Sequence, residues 1–195
     1  VKKVMTAPHI ILGDRPLELP ISKANKGFYV QILTKIDDQL RAMLSHHCKV
    51  LVFRVDLHLH NQSSDNQVMT TFIKRYRKRL QKGLGLSRVG YVWCREQDKA
   101  NKHHYHLAVM VDGNKHQRAG KLISLIKYYW DELHIGKTSV LKKCYVIVRR
   151  DNEEAYQLAF GRICYLAKVY SKSPSQRNAS ANDYEGSRIK HKEAT

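Results

Sequence analysis

Two stretches of this chain, Arg88 to Glu96 and His104 to Asp112, read as β-strands, and only the polar run Gln97 to His103 separates them. So short a connection returns the chain antiparallel to itself, because a parallel partner needs a crossover of about a dozen residues or more. An antiparallel hairpin is therefore fixed locally, and the other elements must build on it. Lys49 to His60 alternates in the same way, with Val55, Leu57 and Leu59 on one side and Arg54, Asp56, His58 and His60 on the other. That pattern predicts a half-buried strand with a polar open face.

Helical spacing marks four further segments. Phe28, Ile32, Ile36, Leu40 and Leu44 form a stripe within Asn25 to Ser45. After the loop Asn61 to Asn66, the residues Met69, Phe72, Ile73, Tyr76 and Leu80 form another, ending near Gly83. The third comprises Ala119, Leu122, Ile123, Ile126, Trp130 and Leu133, and a strand is expected around Lys143 to Val148. A last helix is predicted over Asn152 to Tyr170, with Leu158, Ala159, Ile163, Leu166 and Tyr170 facing the core. The expected fold class is α+β, with helices covering one face of a mainly antiparallel sheet and the active site on the other.

Residues 1–20 hold Pro8, Pro16 and Pro20 without a clear period and read as an irregular N-terminal arm. Residues 21–173 then form the domain. Residues 174–195 are polar and aperiodic, the composition of a disordered tail. An apolar fraction of 43% supports one core. Thirty-five Lys and Arg against seventeen Asp and Glu leave a formal charge of +18, which draws the chain to polyanions, nucleic acid first and an anionic membrane surface second. No apolar run approaches the ~20 residues that span a bilayer. Cys48, Cys94, Cys144 and Cys164 lack metal-site or disulfide-scaffold spacing and read as reduced core residues, so a cytoplasmic setting is expected.

The chemistry concentrates in two places. In the second hairpin strand His104 and His106 project to the same side, and a hairpin centred on the connecting loop sets Glu96 opposite His104, with Cβ atoms ~5 Å apart. Two nitrogens and a carboxylate oxygen then converge on an open face, the donor set of a Lewis-acid metal with free positions. Eleven histidines also yield such pairs by accident, and His58-Leu59-His60 is a second instance. Glu96 favours the His104 pair, since no acid is similarly placed beside His58 and His60. In the last helix Tyr165 lies off the core stripe and three residues from Lys168, a phenol beside an ammonium that eases its use as a nucleophile. A half-buried surface tyrosine beside a solvated lysine is the plainer alternative.

Together, HYHLAV, the preceding Glu96 and the later YLAKVYSK resemble the HUH endonucleases of rolling-circle replication, in which U is a bulky residue. The strand VFRVDLHLH and the basic helix after it look closest to the YagK/YfjJ C-terminal-domain family, which includes inovirus gene 2-like replication proteins. The resemblance spans about Lys49 to Lys172. It implies His104, His106 and Glu96 as ligands of Mg²⁺ or Mn²⁺, Tyr165 as nucleophile and Lys168 as its electrostatic helper. Tyr170 follows Tyr165 at a spacing that departs from two-tyrosine initiators, so a one-tyrosine enzyme is expected. The implied activity is nicking and joining of single-stranded or hairpin DNA at a replication origin, serving a phage, plasmid or related element, with host helicase and polymerase as partners. Arg54 and Asp56 lie on the strand that matches the family's first motif and are read as DNA contacts, Asp56 alternatively as support for the ligands. Arg75, Lys78 and Lys82 are expected to hold the DNA backbone. The alternatives are a non-catalytic nucleic-acid-binding module and a one-tyrosine transposase or relaxase. A zinc hydrolase fits less well, for want of its ligand patterns.

Overall fold

The structure, a computed structural model, describes residues 3–20, 27–61, 63–97, 102–169 and 183–193. Its strands, in chain order, are β1 (Val4–Met5), β2 (His9–Leu12), β3 (Arg15–Glu18), β4 (Phe28–Tyr29), β5 (Lys49–Leu59), β6 (Val89–Gln97), β7 (His103–Asp112), β8 (Gly136–Ser139), β9 (Tyr145–Arg149) and β10 (Tyr184–Gly186). The helices are α1 (Val30–His46), α2 (Gln67–Leu84), α3 (Gly120–Asp131) and α4 (Glu153–Ile163), followed by a 3-10 turn over Cys164–Ala167. The main sheet runs β10-β6-β7-β5-β8, with β9 also pairing along β5, and every pairing in it is antiparallel. The α+β class stands. The predicted hairpin is β6–β7, and its partner β5 enters from far earlier in the chain.

The expectation of helices on one face is corrected. Leu51, Phe53, Val55 and Leu57 of β5 pack with Trp93, Tyr105 and Leu107 against α2 and α3. On the opposite face Val50, Val52, Val92, Ala108 and Met110 pack against α1 and α4. Val50 to Phe53 are all buried because the sheet is covered on both sides there. The half of the second face that carries Arg54, Asp56, His58, Glu96, His104 and His106 is polar and lies beyond the α1/α4 core among the described residues.

The terminal expectations also change. Within residues 3–20 the arm is not irregular: β2 and β3 form a hairpin across Gly13, at φ 64, and Ile10, Leu12, Leu17 and Leu19 are buried in the α1/α4 core. Nor are residues 183–193 a free tail, while the rest of the expected tail, 174–182 and 194–195, lies outside the described residues. β10 adds an edge to β6, Ser187 donates through its backbone to Tyr91 at 2.8 Å, and Gln39 of α1 both accepts from the Ile189 amide and donates to its carbonyl. Lys192 N–H donates to Ser45 Oγ at 2.9 Å. These residues strap the edge of the sheet to α1, an arrangement that composition does not encode.

The last helix is shorter than its periodicity suggests. α4 starts at an Asn152 cap, whose side chain accepts from Ala155 N–H, and stops at Ile163. Lys168 is extended and bridged to Phe28, while Val169 N–H donates to the Gly27 carbonyl, so pairing with the N-terminal strand region draws the chain out of the helix. The buried side chains of α4 are Tyr156, Ala159, Phe160 and Ile163, which turns Leu158 outward to 49% exposure, against expectation. Tyr170, expected on the buried stripe, lies outside the described residues. Phe28, expected inside the first helix, is in β4.

Candidate metal centre

The site is assembled by register. β6 and β7 pair Glu96 with His104 and Cys94 with His106, while β5 and β7 pair His58 with His104 and Asp56 with His106. Directly opposed side chains share a face, so the hairpin and one distant strand deliver the imidazoles and both carboxylates to one patch. His104 Nε2 lies 3.5 Å and His106 Nε2 3.1 Å from Glu96 Oε2. Glu96, His104 and His106 each offer a ligand atom, all within 4.8 Å of one another, and the group can hold a metal ion.

His106 is the best defined member. It is 5% exposed, and its Nδ1 lies 2.7 Å from Asp56 Oδ1. Arg54 Nη2 also approaches Nδ1, at 3.1 Å, but only the carboxylate can accept a proton, so Nδ1 donates to Asp56. The lone pair of Nε2 is then turned toward Glu96. That nitrogen is buried with no hydrogen-bond partner, close to Glu96 in distance without hydrogen-bond geometry. A neutral imidazole nitrogen and a carboxylate oxygen facing each other repel unless a cation or a proton stands between them. This donor set fits a divalent ion or, without one, a proton on Nε2, with Asp56 holding Nδ1 from behind. Burial disfavours charge on His106, yet Asp56 and Glu96 more than offset it and raise its pKa above the ordinary imidazole value. Burial alone would raise the pKa of Asp56, but His106 and Arg54 outweigh it and hold the carboxylate below its usual range.

The 3-10 turn after α4 brings Tyr165 to the border of this patch. Its half-buried ring stands edge-on to His106, with centroids 5.2 Å apart. Arg54 Cζ lies 4.1 Å and Lys168 Nζ 3.9 Å from the Tyr165 ring centroid. Tyr165 and Lys168 thus sit by the Glu96, His104 and His106 group, carried by a tight turn rather than a regular helix face.

Other expected site residues go elsewhere. Arg54, read as a DNA contact, is 6% exposed and forks onto Asp56, Nε to Oδ1 at 3.0 Å and Nη2 to Oδ2 at 3.1 Å, so its donors are turned inward. Asp56 is likewise engaged with His106. Arg75, Lys78 and Lys82 are exposed, but α2 packs on the face of the sheet opposite the metal-ligating group. His58 stacks on His104 with centroids 5.5 Å apart, and burial followed by His104 pushes its pKa down. Its alternation with Arg54 and Asp56 was the signal for a shared patch, but the pairing of β5 with β7 is not local.

Residues 16–181 match the YagK/YfjJ C-terminal domain. No curated protein matches the chain.

Proposed function

The chain belongs to the YagK/YfjJ C-terminal domain family, and from that premise we propose that it is an HUH-type, metal-dependent endonuclease that nicks and rejoins single-stranded DNA through Tyr165. The observation that carries this reading is the juxtaposition of a half-buried tyrosine, 5.2 Å ring to ring from His106, with a Glu-His-His group able to hold a cation. A nucleophile and a phosphate-polarising centre within one small patch suit in-line attack on a phosphodiester.

Glu96, His104 and His106 would hold Mg²⁺ or Mn²⁺, which when bound supplies Lewis-acid polarisation of a phosphate oxygen. Tyr165 Oη forms a bond to phosphorus as the bond to the 3′ oxygen breaks. The 5′ phosphate remains on the tyrosine as a diester, and the leaving oxygen becomes a 3′-hydroxyl. The proton lost by the phenol balances the one gained by the leaving oxygen, so the exchange needs neither water nor nucleotide. Reversal by a new 3′-hydroxyl rejoins DNA and frees Tyr165. Lys168 places a cation against the ring where negative charge develops. The free 3′-hydroxyl can prime a host polymerase beside a host helicase, which with the sequence resemblance supports a role in initiating rolling-circle replication of a mobile element in a bacterial cytoplasm. The net charge of +18 is consistent with a DNA partner.

The test is incubation of the protein with labelled single-stranded oligonucleotides and Mn²⁺, followed by denaturing electrophoresis. A protein-linked label that is lost in Tyr165→Phe and maps to the Tyr165 peptide by mass spectrometry is the expected result. DNA binding without any adduct would instead favour a non-catalytic nucleic-acid-binding module.

A further inference from the structure

We infer that Arg54 is a positioning residue that seats the Tyr165 ring against the Glu96, His104 and His106 group, an inference that rests on the catalytic reading of that site. Arg54 is a buried cation whose guanidinium plane is fixed by the two-point fork onto Asp56. Asp56 in turn accepts from His106. The same guanidinium lies over the Tyr165 ring at 4.1 Å. One side chain therefore links the support of a metal-ligating histidine to the proposed nucleophile.

Charge neutralisation of Asp56 explains only part of this. A lysine at position 54 could reach Asp56 with one point charge, but it has no plane on which a ring can rest and cannot fork onto both oxygens. The 3-10 turn that carries Tyr165 is held at its exit by the Lys168 bridge to Phe28, which fixes the backbone and leaves the ring to be placed by what it packs against. Arg54 and His106 are two of those surfaces, the Lys168 ammonium is a third, and Arg54 is the one whose plane is fixed by a two-point fork. Its burial, at odds with the reading of it as a DNA contact, follows from this use.

The experiment compares the parent with Arg54→Lys in three measurements: Mn²⁺ affinity by calorimetry, the ¹⁹F resonance of 3-fluorotyrosine incorporated at position 165, and single-turnover cleavage of a labelled single-stranded oligonucleotide. Arg54→Lys is expected to bind Mn²⁺ and DNA with near-parental affinity, to move the ¹⁹F resonance toward its position in the unfolded chain, and to slow cleavage on the order of 100-fold, the scale of a small misplacement of a reacting group. Asp56→Asn, which alters the partner of His106, is expected to weaken Mn²⁺ binding about 10- to 100-fold. An unmoved ¹⁹F resonance in Arg54→Lys overturns the inference, as does a loss of Mn²⁺ affinity as large as that of Asp56→Asn, since Arg54 would then act only through Asp56. If Arg54→Lys does not fold, Arg54→Gln is read by the ¹⁹F resonance alone, since it also removes the charge beside Asp56, and an unmoved resonance again overturns the inference. A parent that leaves every oligonucleotide uncut refutes the endonuclease reading and with it any effect of Arg54 on cleavage, while the ¹⁹F measurement still decides whether Arg54 seats the ring.

Discussion

His106 stands between two carboxylates, one accepting its proton and one facing its lone pair, so its removal should be felt in metal binding and in folding. His106→Ala is expected to abolish Mn²⁺ binding measured by calorimetry and to destabilise the apo protein by about 1–3 kcal/mol, because buried polar partners are left unsatisfied. A fully exposed ligand would carry no such expectation; His106 is 5% exposed. His58→Ala, which removes only a ring stacked on His104, should keep Mn²⁺ binding, and the opposite pair of results would mean that the ligand set is wrongly drawn. Asp37 is buried in α1 and accepts from the Tyr156 hydroxyl of α4. Burial raises its pKa, with Tyr156 and Arg41 only partly offsetting that effect. The folded state then holds this proton more tightly than the unfolded chain, so the charge lowers stability above the folded pKa, and the loss is relieved as pH falls through that value toward 3.8. Asp37→Asn keeps an acceptor for Tyr156 and should be at least as stable as the parent at pH 7, with the difference closing in acid. Paired thermal melts across pH test this, and a variant that is less stable only near neutral pH would contradict the sign.

At the scale of elements, the strap formed by residues 183–193 reverses what composition suggests. Its apolar content is small, but β10 completes the edge beside β6, and Gln39 and Ser187 join it to α1. Ending the chain at residue 182 should therefore lower the melting temperature by several degrees, since a few hydrogen bonds of ~0.5–1.5 kcal/mol each are removed; an unchanged melt would leave the strap without a stabilising role. The helix α2 presents the reverse case: its amphipathic stripe was legible, but it ends at a Gly85 cap rather than near Gly83, and it lies on the face of the sheet opposite the metal-ligating group. Its buried side is Met69, Phe72, Ile73, Tyr76 and Leu80; Arg77 lies over the Tyr91 ring of β6, while Arg75, Lys78 and Lys82 are exposed, on the side of the sheet opposite His106. Replacing Arg75, Lys78 and Lys82 by Gln should flatten the slope of log affinity against log salt by ~0.7 for each DNA phosphate no longer neutralised, without changing single-turnover cleavage at saturating DNA. A cleavage defect that persists at saturation would place DNA from α2 into the site.

Across the chain as a whole, features that depend on near neighbours could be read locally, and those that join distant segments could not. Periodicities of two and 3.6 residues, read within one segment, were enough for β5, the β6–β7 hairpin, the cores of α1 to α3 and the meeting of Glu96 with His104, because each depends on neighbours in the chain. Tyr165 and Lys168 stood out by their place off a buried stripe and by resemblance. Periodicity could not report that β5 lies against β7, which brings Asp56 to His106 and Arg54 to Tyr165, since antiparallel pairing between distant segments leaves no local mark beyond alternation. Nor could it reveal that α1 and α4 cover half of the face expected to be open, that β4 draws the YLAK segment out of its helix, or that residues 183–193 close the sheet edge. Those outcomes depend on which apolar surfaces find each other and which backbone groups still need a hydrogen-bond partner, and only the assembled chain determines either.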